Sequence, residues 1–116
     1  MMGKQNDNDR ITKQRKATQE RIATELGQTG FALPGTVLIR TMTCGKKTCR
    51  CHSDPSRLHG PYIQWTRKVD RKTVTRNLTD QQWEDYQEWF DNAKRLRALI
   101  AELETVSMEI FETDLT

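Results

Sequence analysis

The hydrophobic residues after Thr79 recur alternately three and four positions apart, which is the spacing of a helix with one apolar seam. Thr79-Asp80-Gln81-Gln82 has the form of a capping box, and no Pro or Gly follows up to Glu112. Only Ser107 interrupts the series. The pattern predicts a long coiled-coil-like helix over residues 79–113. Its seam consists of Tyr86, Trp89, Ala93, Leu96, Ile100, Leu103 and Ile110.

A weaker helical pattern covers residues 7–27. Asp7 or Asn8 would cap the start of this helix, and Gly27 would follow its end. Because its large hydrophobic residues are only Ile11, Ile22 and Leu26, this helix needs another surface on which to pack. The polar residues 1–6 before it are predicted to form a disordered tail.

Between these helices, residues 36–78 show the composition and alternation of β-strands. The expected strands are Thr36–Met42, Tyr62–Val69 and Thr73–Leu78, with a tight turn centred on Asp70-Arg71. This turn would pair the last two strands in an antiparallel register, with Arg67 opposite Val74, Trp65 opposite Arg76 and Ile63 opposite Leu78. One face of the hairpin would then carry hydrophobic side chains, and the other would carry hydrogen-bonding ones.

The composition limits the size of any core, because 34% of the 116 residues are hydrophobic and 30% are charged. A single domain of this kind needs a bound metal or a partner chain for stability. The cysteines and histidines offer the metal. Cys44, Cys49 and Cys51 supply three of the four ligands that a structural zinc (Zn2+) site takes, and His59 or His52 supplies the fourth. We favour His59, because the side chains of the neighbours Cys51 and His52 tend to diverge.

Three unliganded thiols on a basic loop are the alternative, and they would be an oxidation hazard without a packing benefit. The predicted fold is therefore α+β. A small zinc-stapled, three-stranded antiparallel β unit over residues 36–78 is flanked by the N-terminal helix and the long C-terminal helix, all within one domain over residues 7–116.

The net charge of +3 is unevenly distributed. Residues 40–76 contain ten Lys and Arg against two Asp and Glu, a net charge of +8, whereas residues 77–116 contain three against ten, a net charge of −7. Phosphate contacts dominate the affinity of proteins for DNA, so the basic middle predicts nucleic-acid binding. The expected phosphate contacts are Lys46, Lys47, Arg50, Arg67, Lys68, Arg71 and Lys72. The expected base contacts, on the polar face of the hairpin, are Gln64, Thr66, Thr75 and Asn77.

These features predict a zinc-binding protein that binds nucleic acid, with DNA favoured over RNA. The competing interpretation is a protein-interaction or scaffold module in which zinc is purely structural and the acidic C-terminal helix is the binding surface. A closed Cys3His site leaves no position for a reactive water, and no nucleophile has a plausible base. Neither enzyme activity nor a small-molecule substrate is therefore expected.

A homodimer through the C-terminal helix is also expected, because the few hydrophobic residues of the N-terminal helix cannot cover its seam. The odd number of cysteines, the polar N-terminal stretch and the lack of an apolar run of about 18 residues argue for the cytoplasm and against a membrane.

The segments Cys44-Gly45-Lys46-x-x-Cys49-x-Cys51 and His59-Gly60-Pro61-Tyr62, with the hairpin that follows them, resemble a bacterial family of short proteins known only as a domain of unknown function. The resemblance runs from Leu33 to about Leu103. It implies the order helix, small metal-bearing β unit, helix. It also implies a place near mobile-element genes, and hence an accessory or regulatory role there. The family usually has Gly where this chain has Arg71.

Overall fold

The structure is a computed structural model that describes the backbone of residues 2–115 and the side chains of residues 9–115. Helix α1 spans Met2–Gly27 and helix α2 spans Asp80–Leu115. Between them lie strands β1 (Thr36–Met42), β2 (His59–Val69) and β3 (Lys72–Leu78). Two short 3-10 turns, Arg50–His52 and Pro55–Arg57, interrupt the loop between β1 and β2. The predicted α+β architecture is confirmed.

Helix α1 begins before the predicted start at Asp7 or Asn8 and runs through most of the stretch expected to be a disordered tail. Residue 1 of that stretch lies outside the described residues. Gly27 is the last helical residue and not a left-handed residue beyond the end, because its φ is not positive. Instead, the N–H of Gln28 donates to the carbonyl of Glu25 at 3.2 Å, which tightens the last turn.

Helix α2 begins with the predicted capping box. The N–H of Gln82 donates to Oγ1 of Thr79 at 3.0 Å, and the N–H of Thr79 donates to Oε1 of Gln82 at 2.9 Å. These reciprocal bonds satisfy two donors that the first turn of a helix leaves free.

The three strands form an antiparallel sheet in the order β1-β2-β3. The pairing of β2 with β3 has the predicted register, including Trp65 opposite Arg76. The loop between them consists of Asp70 with a φ of 50° and Arg71 with a φ of 68°. Two positive φ values suit a type I′ turn, whose twist matches that of the strands. Arg71 therefore occupies a left-handed conformation that glycine adopts at less cost.

Strand β2 starts earlier than predicted because a bulge extends it. Arg40 pairs with Tyr62 and Met42 pairs with His59, so β2 holds one extra residue between these pairs. Gly60 lies in the bulge with a φ of 113°, and its peptide bond to Pro61 is cis. A Cβ at Gly60 would lie 3.0 Å from the carbonyl oxygen of Arg40 and 2.9 Å from the N of Tyr62. Only glycine fits this close approach of two strands.

The chain divides into two compact units. The sheet unit comprises residues 32–91, and its buried residues are Cys51, Ile63 and Phe90. Phe90, near the start of α2, meets the ring of Trp65 edge to face with 5.8 Å between the ring centroids. The first turns of α2 thus pack on the predicted hydrophobic face of the sheet.

The helical unit comprises the residues up to Phe31 and those from Asn92 onward. Of its side chains from residue 9 to residue 115, those of Ile22 in α1 and of Ala93 and Leu99 in α2 are buried. The two helices run antiparallel in this unit, because Arg21 pairs with Glu102 whereas Arg15 pairs with Glu109. In the part of the chain that the structure describes, neither helix has a stretch long and apolar enough to span a bilayer.

Candidate metal centre

Three cysteines and one histidine converge at one end of the sheet. The ligand atoms of Cys44, Cys49, Cys51 and His59 all lie within 4.8 Å of one another. Cys44 follows the end of β1, and His59 begins β2, so the pairing of Met42 with His59 brings both to the same place. Cys49 precedes the first 3-10 turn and Cys51 lies within it. This arrangement makes the four residues a candidate metal-binding cluster.

Two separations within the cluster match those of a tetrahedral zinc site. The sulfurs of Cys44 and Cys51 are 3.7 Å apart, and Sγ of Cys49 is 3.5 Å from Nε2 of His59. Zinc with ordinary bond lengths would place two sulfurs about 3.8 Å apart, and a sulfur and an imidazole nitrogen about 3.5 Å apart. All three cysteines of the chain are free thiols. The donor set and its spacing therefore fit a structural zinc ion.

His52 lies beside the cluster without joining it. Its Nε2 is 2.9 Å from the carbonyl oxygen of Cys44, and since a carbonyl only accepts, Nε2 carries the proton and donates. The N–H of Cys44 in turn donates to Sγ of Cys51 at 3.3 Å. Hydrogen bonds of this kind, made by groups that do not themselves bind the metal, hold the metal-binding side chains in position.

The cysteine pKa values differ according to their surroundings. The pKa of Cys49 is lowered to about 6, chiefly because the backbone N–H of Cys51 donates to its sulfur and also because the His59 side chain does. Burial raises the pKa of Cys51, although a hydrogen bond from the backbone of Cys44 opposes the shift. The lowered pKa favours the thiolate of Cys49, and a thiolate is the form that binds metal.

The second 3-10 turn leads the chain from the cysteines back to His59. Asp54 caps it by accepting from the N–H of Ser56 at 3.0 Å and from the hydroxyl of Ser56 at 2.7 Å. The same two donors, the hydroxyl first, lower the pKa of the Asp54 carboxyl. Pro55 begins the turn, where its missing N–H costs nothing.

The predicted base-contact residues share the sheet face opposite α2. Gln64 pairs with Asn77 and Thr66 pairs with Thr75 in adjacent strands, so these four side chains are neighbours. The hydroxyls of Thr66 and Thr75 are 3.1 Å apart and bond to each other. At the same face, Nζ of Lys68 donates to the hydroxyl of Thr73 at 2.7 Å.

The residues predicted to contact phosphate lie in different parts of the sheet unit. Lys46, Lys47 and Arg50 are exposed between the cysteines, and Arg71 and Lys72 are exposed at the hairpin. Arg67 lies on the opposite face, where its guanidinium stacks on the ring of Trp65 at 4.1 Å. Its Nη1 is buried without a hydrogen-bond partner among the described residues. Arg67 therefore does not join the other basic residues on the polar side.

Sequence reasoning missed Arg40. This exposed residue of β1 pairs with Tyr62 and shares the face of Gln64, because Leu38 pairs with Gln64 and Arg40 is two residues further along. The same pairing adds Leu38, which is 56% exposed, to an otherwise polar face. The alternation within Thr36–Met42 places Leu38 and Arg40 together, but only the pairing of β1 with β2 assigns them to this face.

The fold and the cluster define an α+β protein with a Cys3His candidate metal centre between two strands of a small sheet. The chain belongs to the family described as a domain of unknown function, DUF6788, whose model matches residues 9–88. The predicted resemblance is confirmed. The match starts before the expected Leu33, so it includes most of α1, and it stops before the expected Leu103. No curated protein and no solved structure matches the chain.

Proposed function

We propose that the cluster binds one structural zinc ion through Cys44, Cys49, Cys51 and His59. The separations of 3.7 Å between two sulfurs and 3.5 Å between a sulfur and Nε2 support this assignment. When bound, the metal would hold the loop between β1 and β2, which has few hydrophobic residues of its own. Structural zinc contributes folding free energy in small domains.

The test compares the two histidines. His59→Ala removes a proposed ligand, whereas His52→Ala removes only a hydrogen bond to the carbonyl of Cys44. His59→Ala is expected to release zinc to a chelator much faster than the native protein, and His52→Ala is expected to behave nearly as the native protein does. Equal retention by both variants, or the opposite ranking, would contradict the assignment.

We further propose that the protein binds duplex DNA with its sheet unit. The observation that carries this proposal is the open sheet face opposite α2, with amide and hydroxyl groups at Gln64, Thr66, Thr75 and Asn77. Such groups can read base edges when a small sheet enters the major groove. Arg40 and Lys68 on the same face, and Arg71 and Lys72 at the hairpin, supply positive charge for the phosphates.

The metal loop extends this basic surface. Lys46 accepts, through its carbonyl, a bond from the N–H of Cys49 at 3.1 Å, so its backbone is fixed close to a proposed ligand. Cations on a rigid loop lose less entropy on binding phosphate than cations on a mobile one. Arg67 is not part of this proposal, because its guanidinium already stacks on Trp65.

The decisive measurement is the affinity for random duplex DNA as a function of salt. A steep loss of affinity with rising salt supports the proposal, and each phosphate contact removed should lower the slope by about one. Lys46→Gln is expected to lower the slope, whereas Lys94→Gln, an exposed cation of the helical unit, is expected to leave it unchanged. Asn77→Ala should weaken sequence preference and not the slope.

The absence of DNA binding even at low salt would favour the competing function, a protein-interaction module with a purely structural zinc. Tighter binding to RNA than to duplex DNA would transfer the proposal to that nucleic acid. A role beside mobile elements and the absence of enzyme activity stay predictions from the sequence.

A further inference from the structure

A pocket within the sheet unit takes no part in the functions proposed above. Residues of β2, β3 and the first turns of α2 line it, and its volume is about 220 Å³. Pockets that bury a drug-sized molecule usually measure about 300–1,000 Å³, so this one has room for a single ring system. Aromatic rings form much of its wall, and they belong to Trp65, Tyr86, Trp89 and Phe90.

Hydrogen bonds and ring contacts hold the wall of this pocket in place. The indole N–H of Trp65 donates to the carbonyl of Pro34 at 2.8 Å, and the ring of Trp65 meets that of Phe90 edge to face. The N–H of Leu33 donates to the carbonyl of Trp89 at 3.0 Å, which ties the segment before β1 to α2. The pocket is therefore preformed, and a preformed pocket loses little conformational entropy when a ligand enters.

Tyr86 presents the most accessible ring of the pocket. It is 42% exposed, whereas Trp65 and Trp89 are half-buried and Phe90 is buried. The rings of Tyr86 and Trp89 pack edge to face, with 5.0 Å between their centroids and 84° between their planes. This contact fixes the ring of Tyr86, so the ring offers a flat and accessible surface on which a planar ligand can stack.

Two hydrogen-bond donors of the pocket have no partner. Oε1 of Gln82 accepts from the N–H of Thr79, so Nε2 of the same amide is left without a partner among the described residues. Arg76 is exposed and makes no ion pair or hydrogen bond with any residue that the structure describes. None of the residues that line the pocket is acidic. These features suit a planar group that carries hydrogen-bond acceptors and lies next to a negative charge.

The sheet connects this pocket with the polar face proposed to contact DNA. Strand β3 is at the edge of the sheet, because the strand order is β1-β2-β3. Thr75 and Asn77 lie on the polar face, and Arg76 between them lies on the other face, opposite Trp65. A nucleic-acid strand that leaves the polar face over the edge of β3 therefore meets Arg76 next. Only an unpaired strand can follow this path, because the bases of a duplex are stacked and paired.

We propose that the pocket binds the base of an unpaired nucleotide at the place where a DNA duplex passes into a single strand. The base stacks on Tyr86 and accepts a hydrogen bond from Nε2 of Gln82, and Arg76 contacts the adjacent phosphate. This proposal rests on the proposed binding of DNA and narrows the ligand to a duplex with an unpaired tail. Every base has a flat face for stacking, so the sequence of the tail should matter little.

The test compares a blunt duplex with the same duplex carrying an unpaired tail at one end. The tail is expected to raise the affinity of the native protein about tenfold, because stacking of a base on an aromatic side chain contributes a gain of that order. A tail of equal length without bases keeps the phosphates and should lose most of this gain. It tests the same contact in the native protein.

Variants of the pocket should act on the gain from the tail and not on the blunt duplex. Tyr86→Ala should abolish the gain, whereas Tyr86→Phe keeps the ring and should preserve it. Arg76→Gln should reduce the gain, and Lys94→Gln, at an exposed cation of the helical unit, should not. Urea unfolding of each variant separates a lost contact from a folding defect. The tail strand alone should also quench the emission of Trp65 and Trp89 in the native protein.

The outcomes separate this proposal from the proposed function. Binding of the blunt duplex with no gain from the tail, or an equal gain for the tail without bases, would overturn the pocket proposal and leave duplex binding in place. A gain that depends on Tyr86 without binding of the blunt duplex would support the pocket and contradict duplex binding. Quenching by an acidic peptide that ends in phenylalanine, and not by the tail strand, would assign the pocket to a protein partner and overturn the proposal.

Discussion

Among the side chains that the structure describes, the sheet unit and the helical unit each bury three, but the residues differ in kind. The helical unit buries Ile22, Ala93 and Leu99 between two regular helices that satisfy their own backbone groups. The sheet unit buries Cys51 beside Ile63 and Phe90, and it must also fix an irregular loop from Thr43 to Leu58. Hydrophobic contacts are enough to hold two regular helices together. An irregular loop, by contrast, needs side chains that converge on one point.

The two units also differ in charge. Residues 32–91 carry ten Lys and Arg against seven Asp and Glu, a net charge of +3, whereas the rest of the chain carries nine against nine. The family model matches nearly all of the sheet unit but stops before the part of α2 that belongs to the helical unit. The match thus covers the metal-bearing sheet and most of α1, and it leaves out the distal part of α2.

Removal of the metal should have the largest effect on stability, and this effect should be confined to the sheet unit. Cys49→Ser takes away a proposed ligand, and the expected loss is about 10 kcal/mol of folding free energy, because zinc binding and folding are coupled in small metal domains. The sheet unit should unfold while α1 and the distal part of α2 stay helical. Metal analysis together with NMR of the Trp65 and Trp83 indoles measures both effects. A metal-free native protein with the stability of Cys49→Ser would contradict this.

Truncation of the Ile22 side chain should destabilise the helical unit. Ile22 is fully buried, so Ile22→Ala leaves a cavity and should cost about 2–5 kcal/mol in the helical unit. Zinc content and the NMR signals of the sheet unit should be unchanged. Ile11→Ala, at a residue of the same helix that is 40% exposed, is the control and should cost much less. Loss of zinc from Ile22→Ala would show that the two units do not fold separately.

Substitution of Gly60, in the bulge of β2, should destabilise the sheet unit by a smaller amount. Gly60→Ala forces a Cβ to within 3.0 Å of two backbone atoms at a positive φ, and it should cost roughly 2–3 kcal/mol and loosen His59 from the metal. Gly45→Ala is the control, since a Cβ there meets nothing within 4 Å. Urea unfolding and zinc retention under a chelator measure the difference. Equal behaviour of the two variants would refute the steric argument.

Substitution in the hairpin turn should have the smallest effect on stability, and the change should be stabilising. Arg71→Gly relieves a left-handed arginine and should stabilise the sheet unit by about 0.5–1 kcal/mol, after the entropy that glycine adds to the unfolded chain. Asp70→Gly should give less, because aspartate tolerates positive φ better than arginine does. A lower unfolding midpoint for Arg71→Gly than for the native protein would show that the arginine makes a contact that outweighs the strain.

Local signals explain what the sequence predicted well. The capping box at Thr79 and Gln82 depends on residues three apart, and the register of β2 and β3 depends on a two-residue turn between them. The cluster of Cys44, Cys49, Cys51 and His59 was favoured by ligand chemistry, and the structure brings those four residues together. Arg67 shows the limit of such local signals. The hairpin register predicts its position opposite Val74, but it does not predict that the guanidinium stacks on Trp65.

The sequence by itself determined the helices, the three strands and the hairpin register, because periodicity and turn residues act over a few positions. Only the tertiary structure decided that β1 pairs with β2 through a bulge at Gly60. It also decided that α1 lies beside Leu103 and Val106 of α2, while Ile100 and Ile110 of the predicted seam stay exposed. These choices join residues far apart in the chain. They depend on which surfaces pack best against each other, and a pattern along one segment does not contain the shape of its partner.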